Sequence, residues 1–251
     1  MSFDDAAAYD AFMGRYSGPL APRFADFAGV SNGQRTLEVG CGTGMLTSEL
    51  VRRLGADAVT AVDPSAPFAA SVQQRYPGVD VQRAPAEELP FEDERFDMAL
   101  AQLVVHFMTD PIAGLTELRR VTKPGGVVAA CVWDHAGGQG PLSDFWRCVH
   151  ILDPNAVDES GRAGARDGQL AEFLTFAGLR DITDGMISIE VEHPTVDEWW
   201  EPYTRGVGPA GAYVEALFDE ARTQLQDVCR RELGDGPVIV RARAWAARGV
   251  V

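Results

Sequence analysis

The sequence predicts an α/β fold built on a doubly wound, mostly parallel sheet. Strand and helix signals alternate strictly over the first 134 residues, and such alternation closes as parallel strands joined by right-handed crossovers. A glycine-rich turn, Gly40-Cys41-Gly42-Thr43-Gly44, directly follows the first apolar run. Near the end, two helical patterns lie between strand-like runs, which suits a helical lid over the sheet edge.

Taken in order, "RTLEVG" (35–40) reads as a buried strand, and "MLTSELVRRLG" (45–55) has helical spacing with Gly55 as a stop. "AVTAVD" (58–63) is a second strand. A helix over 66–78 ends at Pro-Gly. Strands follow at 79–84 and 95–105. "DPIAGLTELRRVTKPGG" (110–126) begins with an N-cap Asp and an N1 Pro, and is expected to stay helical to Lys-Pro-Gly-Gly. "GVVAACVWD" (126–134) is the fifth strand. Beyond it, 169–179 is helical, 182–192 strand-like, 195–206 and 211–233 helical, and 236–249 a half-exposed strand.

Composition narrows the function. The net charge is −15, with Lys123 the only lysine. An acidic chain without a long basic run is a poor partner for phosphate backbones, so no nucleic acid is expected. The four cysteines lack C-x-x-C spacing, which argues against zinc and a disulfide framework, and no metal is expected. No apolar run reaches 18 residues and the N-terminus has no signal-peptide pattern, so a cytoplasmic protein without a membrane partner is expected.

The glycines must let something approach the backbone. Parallel sheets hold ligands beyond the carboxyl ends of their strands. Asp63 ends the second strand about twenty residues after the glycines, where an acid accepts the hydroxyls of an adenosine ribose. Glu38 immediately precedes the glycines. A carboxylate there repels pyrophosphate and suits a ligand carrying an amino group. A nucleoside with an attached amino acid and no phosphate is S-adenosyl-L-methionine.

These residues resemble the class I S-adenosylmethionine-dependent methyltransferases, and specifically a methyltransferase type 11-like, small-molecule branch. "EVGCGTG" (38–44) is similar to the family's first motif and "AVDPS" (61–65) to its second. The stretch 84–107 is similar to the adenine-contact and fourth-strand segment, and "ELRRVTKPGG" (117–126) to the loop before strand five. The resemblance implies a Rossmann-like, seven-stranded sheet with a helical lid inserted before the last strand. It implies a cofactor-closing helical segment at 1–30, a core at 31–192 and 236–251, and a lid at 193–235. It implies S-adenosyl-L-methionine as cofactor and S-adenosyl-L-homocysteine as product.

The resemblance further implies cofactor contacts from Arg15, Glu38, Gly40, Cys41, Gly42, Gly44, Asp63, Pro64, Ala86, Glu87 and Gln102. Arg15 suits the methionine carboxylate by its planar fork. The family's Asp-Ala before the "LPF" stretch is replaced by Pro85-Ala86, so Glu87 is the candidate for the missing adenine acceptor. Tyr9, Tyr16, His106, Trp133, Trp199, Trp200 and Tyr203 are candidates for the acceptor pocket, the lid aromatics as its wall. Methyl transfer needs alignment and water exclusion, and a base only where the acceptor loses a proton. His106, after strand four, is the first candidate for that base and His135 the second. His150 and His193 have no partner legible in the sequence.

The expected function is methyl transfer to an O, N or C atom of a small-molecule acceptor by a monomer or homodimer. A non-catalytic S-adenosylmethionine- or S-adenosylhomocysteine-binding protein is an alternative. A nicotinamide-dependent oxidoreductase is a further one, opposed by Glu38, by the glycine spacing and by the lack of a Tyr-x-x-x-Lys pair.

Overall fold

The computed structural model describes residues 6–251; residues 1–5 of the expected closing segment lie outside the described residues. The chain opens with α1 (Ala6–Tyr9), a π-helical turn (Asp10–Gly14) and α2 (Arg15–Ala28). Then follow β1 (Thr36–Val39), α3 (Met45–Leu54), β2 (Val59–Val62), α4 (Ala66–Arg75), β3 (Asp80–Gln82) and β4 (Phe96–Gln102). The second part comprises α5 (Pro111–Val121), β5 (Thr122–Trp133), α6 (Ser143–Leu152), α7 (Gln169–Phe176) and β6 (Arg180–His193). It ends with α8 (Val196–Trp200), α9 (Gly208–Ala216), α10 (Asp219–Leu233) and β7 (Val238–Val250).

The seven strands form one sheet in the order β3-β2-β1-β4-β5-β7-β6. The first five are parallel, and β7 runs antiparallel between β5 and β6. The order reverses between β1 and β4, which is the switch point where ligands bind in open α/β sheets. Successive β4 side chains face opposite layers. Met98 and Leu100 join the core containing α2, α3 and the segment between β6 and β7, while Ala99 and Ala101 join the one containing α5 and α7.

Local sequence explains most boundaries. The Asp110 carboxylate accepts from the Ile112 and Ala113 amides, both at 3.0 Å, so α5 is capped as its Asp-Pro start predicts. Its expected run to Lys-Pro-Gly-Gly is corrected: α5 stops at Val121, where Thr122 turns extended and pairs with Phe96 in the sheet. The single helix expected over 211–233 is α9 and α10, parted by extended Leu217 and Phe218; Asp219 and Glu220 then favour a new helix start. The stretch 135–168, which had no expected element, contains α6.

Candidate active site

A cleft of ≈ 780 Å³ opens at the switch point, lined by the loops after β1, β2 and β4. The loop after β1 needs glycine for two different reasons. Gly40 has φ +70°, and a Cβ there would lie 2.7 Å from Val104 Cγ1, so neither the dihedral nor the space admits a side chain. Gly42 has φ +52° and nothing within 4 Å of the position of a Cβ, so its backbone faces open space.

Two carboxyl groups line the cleft. Glu38 is buried, and its Oε2 accepts from the Thr47 hydroxyl at 2.6 Å, in the first turn of α3. Burial, aided by the nearby Asp63 carboxylate and opposed by the Thr47 hydrogen bond, pushes the Glu38 carboxyl up to about 8. Among the described residues no arginine or lysine forms an ion pair with it. Asp63 accepts from the Gly42 and Ser65 amides, both at 2.8 Å, which ties the loop after β1 to the loop after β2. Each oxygen keeps a second lone pair for a ligand.

The N-terminal segment lies across the cleft. Asp10, in the π-helical turn, accepts from the Thr43 hydroxyl and from Arg75. Tyr9 packs against Phe68 with ring centroids 5.2 Å apart.

Tyr9, Leu103 and Phe107 also line a second, smaller chamber. Its walls include Phe12, Leu142 and Val207, with His106, Trp133, His135 and Glu159 as polar members. The His106 and His135 ring centroids are 5.8 Å apart. His106 Nδ1, His135 Nε2 and Trp133 Nε1 are buried with no hydrogen-bond partner among the described residues. Burial holds His106 well below the usual imidazole value, with His135 and Arg162 adding to the effect. Burial and Arg162 lower His135 to about 4, against the Asp134 and Asp158 carboxylates.

Residues 37–130 match a family described as "Methyltransferase domain". The demethylmenaquinone methyltransferase of Paenarthrobacter aurescens is 31% identical over 176 residues, 63% of this chain and 67% of that protein. The chain belongs to the class I S-adenosylmethionine-dependent methyltransferases. A probable phthiotriol/phenolphthiotriol dimycocerosates methyltransferase 2 of Mycobacterium ulcerans is 42% identical over 162 residues, 64% of this chain and 52% of its own. Alignments with the first curated relatives thus span about half the length of those proteins. The phosphoethanolamine N-methyltransferase 2 of Haemonchus contortus, solved with S-adenosyl-L-methionine, shares the fold at a TM-score of 0.58 and 17% identity, over all of this chain and 60% of that one. Membership implies S-adenosylmethionine as the methyl donor.

Within this methyltransferase, Glu38, Gly40, Cys41, Gly42, Asp63, Pro64 and Gln102 line the cleft together. Gly44, with φ +92°, starts α3 and is not among the lining residues. Arg15 is placed elsewhere: Nη1 donates to His193 Nδ1 at 2.9 Å, and Nε to the Ala11 carbonyl. Ala86 is buried in the core, and Glu87 accepts from the Thr109 and Asp110 amides, so neither lines the cleft.

Of the acceptor-pocket candidates, Tyr9, His106 and Trp133 line the chamber. Tyr16, Trp199, Trp200 and Tyr203 do not, which corrects their expected place. Tyr16 bonds His193 Nε2 at 3.0 Å, and Tyr203 stacks on Phe145 with centroids 4.4 Å apart. Their apolar area joins the core shared by α2, α6 and the segment between β6 and β7.

Several lining residues escaped sequence reasoning. Leu103 lines both spaces at φ +62°, an unusual backbone for leucine that no sequence pattern announces. Glu159 lies in the stretch without an expected element. Asp134, beside His135 but outside both linings, is held by Arg243 Nε at 2.9 Å and by the Gly137 amide at 2.8 Å.

Proposed function

We propose that this chain moves the methyl group of S-adenosylmethionine to an O, N or C atom of a small-molecule acceptor by in-line displacement, leaving S-adenosylhomocysteine. The observation that carries the reading is the pairing of a cleft containing two buried carboxyl groups with an apolar chamber sharing its wall. Bound S-adenosylmethionine supplies a methyl carbon activated by a positively charged sulfur. The residues present fit that group. Glu38 takes the ammonium, whose charge favours the ionised carboxylate that burial alone disfavours. Asp63 takes the ribose hydroxyls on its spare lone pairs. The open face of Gly42 lets the backbone lie against the ligand. Tyr9 and the Asp10–Thr43 contact close the N-terminal segment over it and exclude water.

The same reading makes residues 1–30 the closing segment, 31–192 with 236–251 the core, and 193–235 the cover on the acceptor side. A cytoplasmic monomer or homodimer, with no nucleic-acid or membrane partner, completes it.

Calorimetric titration with S-adenosylmethionine, S-adenosylhomocysteine and NAD tests it on the wild type and on Asp63→Asn. The adenosyl ligands are expected to bind and NAD not to. Losing a hydrogen bond to a charged group costs about 1.5–3 kcal/mol, so Asp63→Asn should weaken them roughly 10- to 100-fold. A folded wild type that binds neither adenosyl ligand overturns the reading.

A further inference from the structure

We infer that the chamber beside the cleft is a hydroxyl site: it holds a phenol-type acceptor on a flat apolar ring, and the imidazoles of His106 and His135 take its proton. The inference rests on the methyltransferase reading for the step that follows.

The walls are largely apolar, yet three buried polar atoms in them have no partner among the described residues: His106 Nδ1, His135 Nε2 and Trp133 Nε1. Each unsatisfied buried polar group costs about 1–3 kcal/mol, and three of them on residues that line one chamber point to a ligand that satisfies them. Trp133 Nε1–H is a donor only, and a neutral imidazole offers an acceptor nitrogen. A hydroxyl answers both, since it accepts from the indole and donates to the ring.

Other acceptor classes fit worse. A carbon acceptor leaves the polar atoms unpaired. A cationic amine needs an anionic seat, and among the described residues Glu159 is the only carboxylate lining the chamber. Its Oε2 already accepts from Trp146 Nε1 at 3.1 Å, and burial raises its proton affinity. Arg162, whose guanidinium stands 5.9 Å from the Phe107 ring centroid, adds positive potential at both imidazoles. That potential opposes a cation and favours an oxygen becoming negative. Weakly basic imidazoles further select an acidic hydroxyl, and a phenol, at about 10, is far more acidic than an aliphatic alcohol.

The step balances. The hydroxyl proton passes to an imidazole nitrogen, the oxygen gains the methyl carbon, and the electron pair of the broken carbon–sulfur bond stays on sulfur. The imidazolium then releases the proton to solvent.

The test is binding of 4-nitrophenol to the full chain, followed by its phenolate absorbance, with toluene and benzylamine as competitors. S-adenosylhomocysteine is titrated in parallel. Saturable 4-nitrophenol binding is expected, at least 10-fold weaker in His106→Gln, His135→Gln and Trp133→Phe. Retained S-adenosylhomocysteine affinity in those variants shows that they are folded. Toluene or benzylamine binding as tightly as the phenol overturns the inference. So does absent phenol binding in a protein that holds S-adenosylhomocysteine, with the proposed function left standing. Phenol binding without any S-adenosylhomocysteine binding supports the chamber assignment and sinks the function instead.

Discussion

The cleft and the chamber share Tyr9, Leu103 and Phe107, but they are built in opposite ways. The cleft is built around the loops at three neighbouring strand ends, with two glycines and two carboxyl groups in its lining. The chamber is made of residues brought from segments as far apart as Phe12, Trp133 and Val207, with two imidazoles and Glu159 among its polar members. A loop that approaches its neighbours through glycine is intolerant of added atoms. A side-chain-built site tolerates them and is sensitive to exchange of a polar atom.

The largest effect follows from that intolerance. In Gly40→Val, a branched side chain must occupy φ +70° and drive into Val104. Overpacking and the left-handed penalty together cost about 3 kcal/mol or more. Thermal melts should fall by roughly 6–12 °C, with adenosyl binding abolished. Gly42→Ala meets no neighbour and carries only the dihedral penalty, about 1–2 kcal/mol. It should stay folded and still lose adenosyl affinity, because its methyl group enters the cleft. Equal loss of stability in the two variants would show that both glycines serve the turn alone.

In the chamber, the expected effects are on rate rather than folding. If the inferred hydroxyl chemistry holds, His106→Gln removes a base at a cost of about 10²-fold or more in kcat, with little change in S-adenosylhomocysteine affinity. The imidazoles are neutral above their lowered values, His135 above about 4. The wild-type rate should therefore stay flat as pH falls through 6.5, where an ordinary histidine titrates, and drop only near 4–5. Burial is the largest cause of both lowered values; Arg162 acts in the same direction on both rings, and Asp134 and Asp158 oppose it at His135. Initial rates at each pH, with a melt at each pH to confirm folding, decide this. A midpoint near 6.5 would place the base in water instead.

The same contrast governs what the sequence discloses. The cleft is legible because its parts are local: Glu38 and the glycines occupy seven consecutive residues, and the strand ending before Asp63 pairs with their own. Alternation also exposes the five parallel strands. The chamber is not local. Its aromatic candidates Trp199, Trp200 and Tyr203 carry apolar area that serves core and wall equally well, and composition alone does not choose between them. Arg15 was assigned by charge, yet its nearest claim is the buried His193 at the end of β6, a pairing across 178 positions that spacing cannot reveal. The break between α9 and α10 was hidden because Leu217 and Phe218 suit a helix as well as a joint.

The proton-linked effect is the most discriminating for the cleft. An unfolded glutamate titrates at 4.5, and burial, with Asp63 as a further cause, lifts folded Glu38 to about 8. Between those values the folded chain holds a proton that the unfolded chain lacks. This contribution to stability is full below 4.5 and is lost as pH rises toward 8. Glu38→Gln should flatten that part of the melting profile. A ligand ammonium beside Glu38 reverses the preference and expels the proton, so S-adenosylhomocysteine binding near pH 7 should release up to about one proton per site. Calorimetry in two buffers of different ionisation enthalpy counts it. 5′-Methylthioadenosine, which lacks the amino acid, should release none, and neither should S-adenosylhomocysteine with Glu38→Gln. Equal release from both ligands in the wild type would move the ammonium away from Glu38 and leave that carboxyl as no more than an anchor for the first turn of α3.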